Sequence, residues 1–412
     1  ARPRPRRRRG PPRRAAQAPA RSRRERPPRR APRAPGQRDE VARAAAGAAA
    51  ALREFQTYLE KDLLPRSRGE LRLGRARFEK KLRFTLDEEV DIDALARDAR
   101  ALLELTQGEM VATVKELAPQ LWPGRPWKEP TDAAGRKALV REALARVAEE
   151  RPDNRTIVAD AQRLLDEATA TVKKHDLVRV PDEPCRVIEM PEYRRGVAVA
   201  YCDSSGPLEA KQETFYAIAP TPKDWDARRA ESFYREYNRA MLADLTVHEA
   251  MPGHFLQLMH ANRSTTRLRA IFPSGTFIEG WAVYSEWLMT RVGFGGPRVK
   301  LQRQKMVLRL SANALLDHGV HAGTMTEEEA MRLMRDEAFQ EDGEAVGKWR
   351  RARLTSAQLS TYFHGFRAMM TLREHHASAP GFTERAYHDR LLAHGSPPPR
   401  HVAALLGAPG GG

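Results

Sequence analysis

Cysteine is nearly absent from this sequence, which contains only Cys185 and Cys202 among 412 residues. Two cysteines exclude a scaffold held by many disulfides and a zinc site built from several thiolates. The pair is compatible with one disulfide, if the protein is exported, or with two partly buried free thiols. An apolar core must therefore hold the fold together, and 412 residues suffice for one large core or two of medium size.

Long apolar runs are also missing, since no stretch approaches the roughly 18 apolar residues of a membrane-spanning helix. The Ala-rich stretch 41–52 follows an Arg-rich segment, as in an export signal, but Arg43 interrupts it. It is better interpreted as the start of a helix. We therefore expect no transmembrane segment and a cytoplasmic protein. Export is the alternative if a further segment precedes Ala1. The sequence does not indicate the oligomeric state.

Aromatic residues are absent from residues 1–40, which hold 16 Arg and 9 Pro but only three acidic residues. This segment carries +13 of the formal charge of +17. Such a composition cannot bury enough apolar surface to offset the entropy of ordering, so it predicts a disordered tail. Because no aromatic side chains accompany the Arg runs to stack on bases, we expect no specific nucleic-acid partner.

The rest of the sequence has mostly helical periodicity. Apolar residues recur at three- and four-residue steps in four early segments, at about 41–65, 91–118, 133–150 and 155–174. Short segments rich in β-branched and aromatic residues predict three strands, at 185–189, 197–202 and 213–218. We predict a mainly α protein with one small β-sheet, in which a helical region 41–175 and a catalytic region 176–412 form one continuous fold.

The segment His248-Glu-Ala-Met-Pro-Gly-His254 is typical of a zinc site. Zinc hydrolases bind the metal through neutral imidazoles and a carboxylate, and the helical form places two histidines four residues apart with a glutamate beside the first. Here the spacing is six residues, which on an unbroken helix places the two rings about 240° apart. Pro252 interrupts a helix and Gly253 tolerates unusual backbone, including positive φ, so together they allow His254 to return. We predict zinc on His248 and His254, with Glu249 as general base.

A carboxylate should supply the third ligand. Glu279 begins an apolar helical segment, where an acidic side chain needs a partner. Glu286 lies seven residues later on the same face and is either an alternative ligand or an acceptor that orients a histidine. Solvation at a helix end is the alternative for each.

These residues resemble a bacterial family known as domain of unknown function 885, whose hallmark is His-Glu-x-x-Pro-Gly-His followed by Glu-Gly-Trp-Ala, here 248–254 and 279–282. Other segments that resemble the family are Leu73-Gly74 with Phe78, Asp317–His321, Arg351 with Gln358–Tyr362 and Gly365, and Tyr387–Leu392 with Gly395. Ser356-Ala357 stands where the family has Pro-Gly. The family is distantly similar to helical zinc peptidases of the thimet oligopeptidase and carboxypeptidase Taq types. The resemblance implies a large multi-helix metallopeptidase-like fold, with the small sheet next to the metal-binding helix.

The expected reaction is hydrolysis of a peptide bond by a zinc-activated water. Glu249 takes a proton from the water and passes it to the leaving amine. The developing oxyanion needs a further donor, for which Tyr362 is the first candidate, ahead of Tyr201 and Tyr284. A buried tyrosine with a satisfied hydroxyl is the alternative for all three.

Other side chains are candidates for binding substrate or supporting the ligands. Asp317 and His321 are four residues apart and either orient a ligand or form a structural ion pair. Arg351 either binds a peptide's C-terminal carboxylate or forms an ordinary salt bridge. Either strand 197–202 or strand 213–218 is expected to present an open edge to an extended peptide, if it is not simply paired within the sheet.

Two other functions remain open at this point. The same site would serve a metal-dependent hydrolase of a non-peptide amide or ester. A metal-binding protein without catalytic activity is the third interpretation, although the glutamate beside the first histidine argues against it. The expected partner is a peptide or a small amide substrate.

Overall fold

The computed structural model describes residues 35–195, 198–209, 213–264 and 266–407. Within these ranges the chain is mainly helical with one small sheet, which confirms the predicted fold class. The chain divides into two compact units, with the boundary between Gly69 and Glu70. The predicted tail falls on residues 1–34, outside the described ranges, and on residues 35–40, which belong to a helix.

The first unit is a helical segment, composed of α1 (Pro35–Tyr58), a π-helical turn (Leu59–Leu63) and α2 (Leu64–Arg66). The segment continues past Pro65, where the sequence predicts its end. It ends one residue later, at Arg66, so the predicted end is displaced by a single residue.

The second unit contains the remaining elements. Four helices come first: α3 (Arg75–Leu86), α4 (Ile92–Leu121), α5 (Ala133–Val147) and α6 (Ile157–Lys174). The strands are β1 (Cys185–Glu189), β2 (Ala200–Asp203) and β3 (Thr214–Ile218). The later helices are α7 (Ala227–Glu236), α8 (Arg239–Glu249), α9 (His254–Ala261), α10 (Arg267–Ile271), α11 (Gly275–Arg291), α12 (Gly296–His321), α13 (Glu327–Arg332), α14 (Asp342–Leu354), α15 (Gln358–Ala377), α16 (Glu384–Leu392) and α17 (Pro399–Leu406).

Side-chain caps determine where several of these helices begin. Asn238 accepts a hydrogen bond from the Met241 N–H at the start of α8, and Ser274 accepts one from the Phe277 N–H at the start of α11. Such a cap typically stabilises a helix by about 1 kcal/mol. Both caps matter for function because α8 and α11 carry the metal-ligand candidates.

One hydrophobic core runs through the second unit. Its buried residues come from both sides of the boundary predicted at residue 175, among them Leu165, Val172, Leu177 and Tyr216. Helices α8, α11 and α12 are buried on most of their surface, as expected for central helices. Helix α11 packs against α8, α9 and α15, and α12 packs against α4.

The sheet has the strand order β1-β3-β2, with β1 parallel and β2 antiparallel to β3. Strand β3 is therefore paired on both sides, so the prediction that strand 213–218 offers an open edge is wrong. Cys185 in β1 and Cys202 in β2 are separated by β3, at two strand spacings or about 10 Å, which is too far for a disulfide. Both thiols are free.

No helix in the described ranges is long and apolar enough to cross a membrane.

Helices α11 and α15 cross at two glycines. A Cβ added to Gly365 would lie 2.2 Å from the Thr276 carbonyl oxygen and 2.9 Å from the Cα of Gly280. A Cβ added to Gly280 would lie 2.6 Å from the Gly365 carbonyl. The two main chains therefore touch, which brings Glu279 of α11 and Tyr362 of α15 to the same region of the molecule.

We expect Gly365→Ala to destabilise the second unit strongly. The methyl group has no space, so the helices must separate, and overpacking of this kind typically costs about 1–3 kcal/mol or more. Thermal unfolding followed by circular dichroism measures the effect. Gly108→Ala is the control, because Gly108 lies on the exposed surface of α4 with no atom within 4 Å. That variant should melt at or above the wild-type temperature, and equal stability of both variants would contradict the close crossing.

Candidate metal centre

The two histidines of the motif are brought together by an extra loop between two helices. Helix α8 ends at Glu249 and α9 begins at His254. Between them, the Met251 N–H donates to the Thr246 oxygen at 3.2 Å and the Gly253 N–H donates to the Val247 oxygen at 2.9 Å. These bonds span five and six residues instead of the four of an α-helix, so the chain makes one wide turn. The His248 and His254 rings then lie with their centroids 4.7 Å apart.

Gly253 is required by close contact within this loop. Its φ is −70°, so the positive φ considered from the sequence is wrong. A Cβ at this position would lie 1.9 Å from the His248 oxygen and 2.3 Å from the Val247 oxygen. The preceding Pro252 carbonyl accepts a hydrogen bond of 2.8 Å from Trp281 Nε1, which ties the loop to helix α11.

Glu279 of α11 completes a cluster of three possible ligands. Its Oε2 lies 3.5 Å from His248 Nε2 and 3.6 Å from His254 Nε2, and one ligand atom from each residue lies within 4.8 Å of the others. Ligand atoms about 2.0–2.2 Å from a tetrahedral zinc are separated by about 3.4 Å. The observed spacing and the donor set of two imidazoles and one carboxylate fit a zinc ion.

Two features of the cluster favour a bound cation. Glu279 Oε2 is buried and has no hydrogen-bond partner among the described residues. Burial lowers the pKa of His248, but the neighbouring carboxylates of Glu279 and Glu286 outweigh burial and raise it well above its usual range. A positive charge between these carboxylates is therefore strongly favoured. Burial lowers the pKa of His254 to about 4, which keeps that imidazole neutral, as a metal ligand must be.

Glu286 does not join the ligand set, because it contacts the other nitrogen of His248. Its Oε1 lies 2.7 Å from His248 Nδ1, and the residue is 1% exposed. A carboxylate in this position orients the ring and selects the tautomer that leaves Nε2 free for a metal. The acceptor role considered from the sequence fits this geometry, and the alternative of a direct ligand does not.

The surroundings of Glu286 contain two charged residues that the sequence did not single out. Burial raises the pKa of Asp244 well above its usual range, and the charge of Glu286 raises it further, while Arg303 opposes the shift. Asp244 precedes His248 by one helical turn, so it shares the face that looks toward α11. This spacing of one helical turn from His248 is the only feature of the sequence that points to Asp244.

Glu249 lies beside the ligands without belonging to them. It is 8% exposed, and burial raises its pKa to about 7, with the charge of His248 opposing and that of Glu279 reinforcing the rise. The main chain of Cys202 in β2 contributes a hydrogen bond to its carboxylate. A carboxyl group with a pKa near neutrality is suited to accept a proton and to return it.

Tyr362 of α15 has a hydroxyl hydrogen that is available to a substrate. Its oxygen accepts hydrogen bonds from Arg351 Nη2 at 3.3 Å and from Gln358 Nε2 at 3.2 Å. These two bonds occupy the acceptor positions of the hydroxyl, so its own hydrogen remains to donate. Burial raises the pKa of Tyr362 and the charge of Glu279 raises it further, so the hydroxyl keeps its proton at neutral pH.

Asp317 and His321 do not pair with each other but support the connection between α14 and α15. Asp317 accepts hydrogen bonds from the main-chain N–H groups of Ala357 and Ser360 and from the Ser360 hydroxyl. His321 Nε2 lies 2.9 Å from the Ala352 oxygen and 2.7 Å from that of Thr355. The predicted direct contact with ligand or substrate is therefore wrong for both, because the packing of α12 directs them to the neighbouring loop.

Two tyrosines considered as candidates lie elsewhere. Tyr201 alternates with Cys202 along β2, so it faces away from Glu249, and it packs in a small separate cluster beneath the Arg194 guanidinium. The role of oxyanion donor considered for Tyr201 does not fit this position. Tyr284 is buried, with its hydroxyl 2.7 Å from His388 Nε2, which makes it a core residue.

A sequence profile described as "Bacterial protein of unknown function (DUF885)" matches residues 9–406. No curated protein matches the chain significantly. The resemblance inferred from the metal motif is thus confirmed at the level of this family, whose function is unknown.

Two solved structures are similar to this chain. A "putative lipoprotein of unknown function" from Shewanella oneidensis is 31% identical, with a TM-score of 0.72 over 89% of this chain and 65% of that chain. A "putative lipoprotein" from Colwellia psychrerythraea is 21% identical, with a TM-score of 0.69 over 84% of this chain and 58% of that chain. At this level of identity the similarity supports the fold and nothing further. The chain spans less than two thirds of the length of either protein. Since the profile covers nearly the whole sequence, the chain belongs to the bacterial family of unknown function DUF885.

Proposed function

We propose that this chain is a zinc-dependent hydrolase that cleaves peptide bonds. The observation that carries the proposal is the convergence of His248, His254 and Glu279 with Glu249 beside them and outside the ligand set. The three ligand candidates would hold the metal. Zinc bound there supplies a Lewis acid that acidifies water and polarises a carbonyl group.

The residues around the cluster have complementary roles. Glu249 accepts a proton from the attacking water and returns it to the leaving amine, which its pKa near neutrality allows. Tyr362 donates its free hydroxyl hydrogen to the carbonyl oxygen as negative charge develops on it. Glu286 keeps His248 in the required orientation.

Strand β2 supports a peptide as the substrate. The Ala219 N–H donates to the Val199 oxygen at 2.8 Å, so alternate residues of β2 direct their main-chain groups toward β3. The main-chain groups of Ala200 and Cys202 point to the opposite side of β2, where no strand of the described residues pairs with it. The hydrogen bond between the Cys202 main chain and Glu249 places this edge at the proposed catalytic base. An extended peptide that pairs with Ala200 would therefore pass the metal cluster.

Metal removal and restoration test the proposal. The purified protein should contain about one zinc ion per chain and should cleave a defined peptide mixture, with new termini identified by mass spectrometry. A chelator should abolish cleavage and added zinc should restore it, and His254→Ala should remove most of the metal and the activity. Full zinc content in His254→Ala, or cleavage that survives metal removal, would refute the proposal. Cleavage of small amides or esters without any peptide cleavage would point to a non-peptide substrate.

We also propose that the protein acts outside the cytoplasm. Both similar structures are described as lipoproteins, a class that is exported, and the cytoplasmic location expected from the sequence has no support from them. Fractionation of the native host with an antibody to this chain tests the location, and a signal confined to the cytoplasm would contradict it.

A further inference from the structure

Helix α14 carries a buried lysine, Lys348, and a half-buried arginine, Arg351, which have no carboxylate within hydrogen-bond distance among the described residues. The surrounding cluster contains four cations and two carboxylates. Lys305 Nζ lies 2.8 Å from Glu236, and Arg309 forms an ion pair with Glu344. These two pairs use both carboxylates of the cluster and leave Lys348 and Arg351.

The contacts of the two remaining cations are incomplete. The nearest carboxylate oxygen to Lys348 Nζ is that of Glu344 at 3.7 Å, beyond hydrogen-bond distance and already paired with Arg309. Lys348 is nevertheless only 7% exposed. Arg351 uses Nη2 for two neutral partners, Gln358 and Tyr362, and its remaining nitrogens have no hydrogen bond to the described residues.

Both cations belong to the region of the metal cluster. They are three residues apart on α14 and therefore lie on one face of the helix. Arg351 Nη2 donates to the Tyr362 hydroxyl at 3.3 Å. The crossing of α11 and α15 at Gly280 and Gly365 brings Tyr362 into the region of Glu279. These contacts place the face of α14 that carries Lys348 and Arg351 beside the proposed catalytic site.

A buried ammonium group without an anion at hydrogen-bond distance is costly, so this surplus of positive charge indicates the place of an anionic ligand. A guanidinium binds a carboxylate through two parallel hydrogen bonds, and a lysine adds a compact charge beside it. Each residue of an extended peptide covers at most about 3.6 Å. A carboxylate one or two residues beyond a cleaved bond therefore remains close to the catalytic site.

We infer that Lys348 and Arg351 bind a substrate carboxylate one or two residues beyond the cleaved bond, which in a short peptide is the C-terminal carboxylate. This inference rests on the proposed peptidase function and adds that the enzyme removes residues from the C-terminal end. An acidic side chain near the end of a longer peptide offers the same chemistry, so the test separates the two sources.

The first experiment uses the zinc-loaded wild-type protein and three peptides of equal length. One has a free C-terminal carboxylate, one has a C-terminal amide, and one has the amide with glutamate as its last residue. We expect cleavage at the last or the penultimate bond of the free acid. The amide should have a kcat/KM about 10- to 100-fold lower, the range that one charged hydrogen bond provides. Restoration of the rate by the glutamate peptide would show that a side-chain carboxylate also binds.

Variants of Lys348 connect this preference to the site. Lys348→Met should bring the ratio of kcat/KM for free acid and amide close to one, mainly by raising KM for the free acid. Lys348→Arg should retain the preference for the free acid. Arg350→Gln is the matched control, because Arg350 is exposed on the opposite side of α14 and should leave the ratio unchanged. Circular dichroism melting of each variant verifies that it folds.

The outcomes distinguish this inference from the proposed function. Equal cleavage of acid and amide by the wild type, or an unchanged ratio in a folded Lys348→Met, overturns the carboxylate site and leaves the peptidase proposal intact. If the zinc-loaded wild type cleaves no peptide, the peptidase proposal fails. Titration calorimetry then measures the affinity for the free-acid and amide peptides. The carboxylate site requires that the free acid bind at least tenfold more tightly than the amide.

Discussion

Replacing Glu249 with glutamine should lower kcat for peptide hydrolysis by about 10²- to 10⁴-fold, while about one zinc ion per chain remains bound. Glutamine has nearly the same shape and still accepts the hydrogen bond from the Cys202 main chain, but it cannot take a proton from water. Glu249 is not among the three ligand candidates, so metal binding should survive.

The measurement requires zinc content and kcat from the same preparation of the variant. Glu116→Gln is a suitable control, since Glu116 lies on the exposed surface of α4 and should leave kcat unchanged. A Glu249→Gln protein that keeps its zinc and more than a tenth of the wild-type kcat would show that Glu249 is not the general base. A metal-free Glu249→Gln protein would instead identify this residue as part of the ligand set.

Gly253→Ala should lose most of the zinc affinity and about 10²-fold or more in activity, the loss that a displacement of about 1 Å in a catalytic site produces. The added methyl group would lie 1.9 Å from the His248 carbonyl oxygen, which is main chain and cannot rotate away. Relief of the contact must move His248 relative to His254, because Gly253 lies between them in the chain. The flanking helices α8 and α9 remain supported by their buried faces, so helix content should stay near the wild-type level.

Gly275→Ala is the matched control for this change. Gly275 is exposed at the start of α11, four residues before Glu279, and an added Cβ there has no atom within 4 Å. Zinc titration, turnover and circular dichroism should therefore match wild type. If Gly253→Ala also binds zinc and turns over substrate like wild type, the close contact in the loop does not shape the site.

Much of the local structure follows from residue patterns over one or two turns of chain. The apolar repeat predicts α4 and α6 to within three residues at each end, and β-branched residues predict β1 at its observed bounds. These predictions succeed because periodicity reports which face of a single element is buried.

The proposed metal ligands also depend on short segments of sequence. His248 and His254 are close in sequence, and the Pro-Gly pair between them signals a wide turn, although the need for glycine comes from close contact and not from positive φ. Glu279 is proposed as the third ligand because an acidic residue at the start of an apolar helix needs a partner. The ligand candidates thus follow from short segments of sequence, while the contact between Gly280 and Gly365 that holds α15 over the site does not.

The sequence by itself determined the mainly α class, the three strands, the family and the candidates His248, Glu249, His254 and Glu279, because each depends on patterns within a short segment or on motif spacing. Only the tertiary structure decided which residues far apart in the chain meet. The packing of α11 on α8 made Glu286 an acceptor for His248, and the strand order left β2, like β1, at an edge of the sheet. The packing of α12 turned Asp317 toward a loop and left Lys348 without a partner of its own. Such contacts depend on how helices pack against one another, and periodicity within a single helix carries no information about its neighbours.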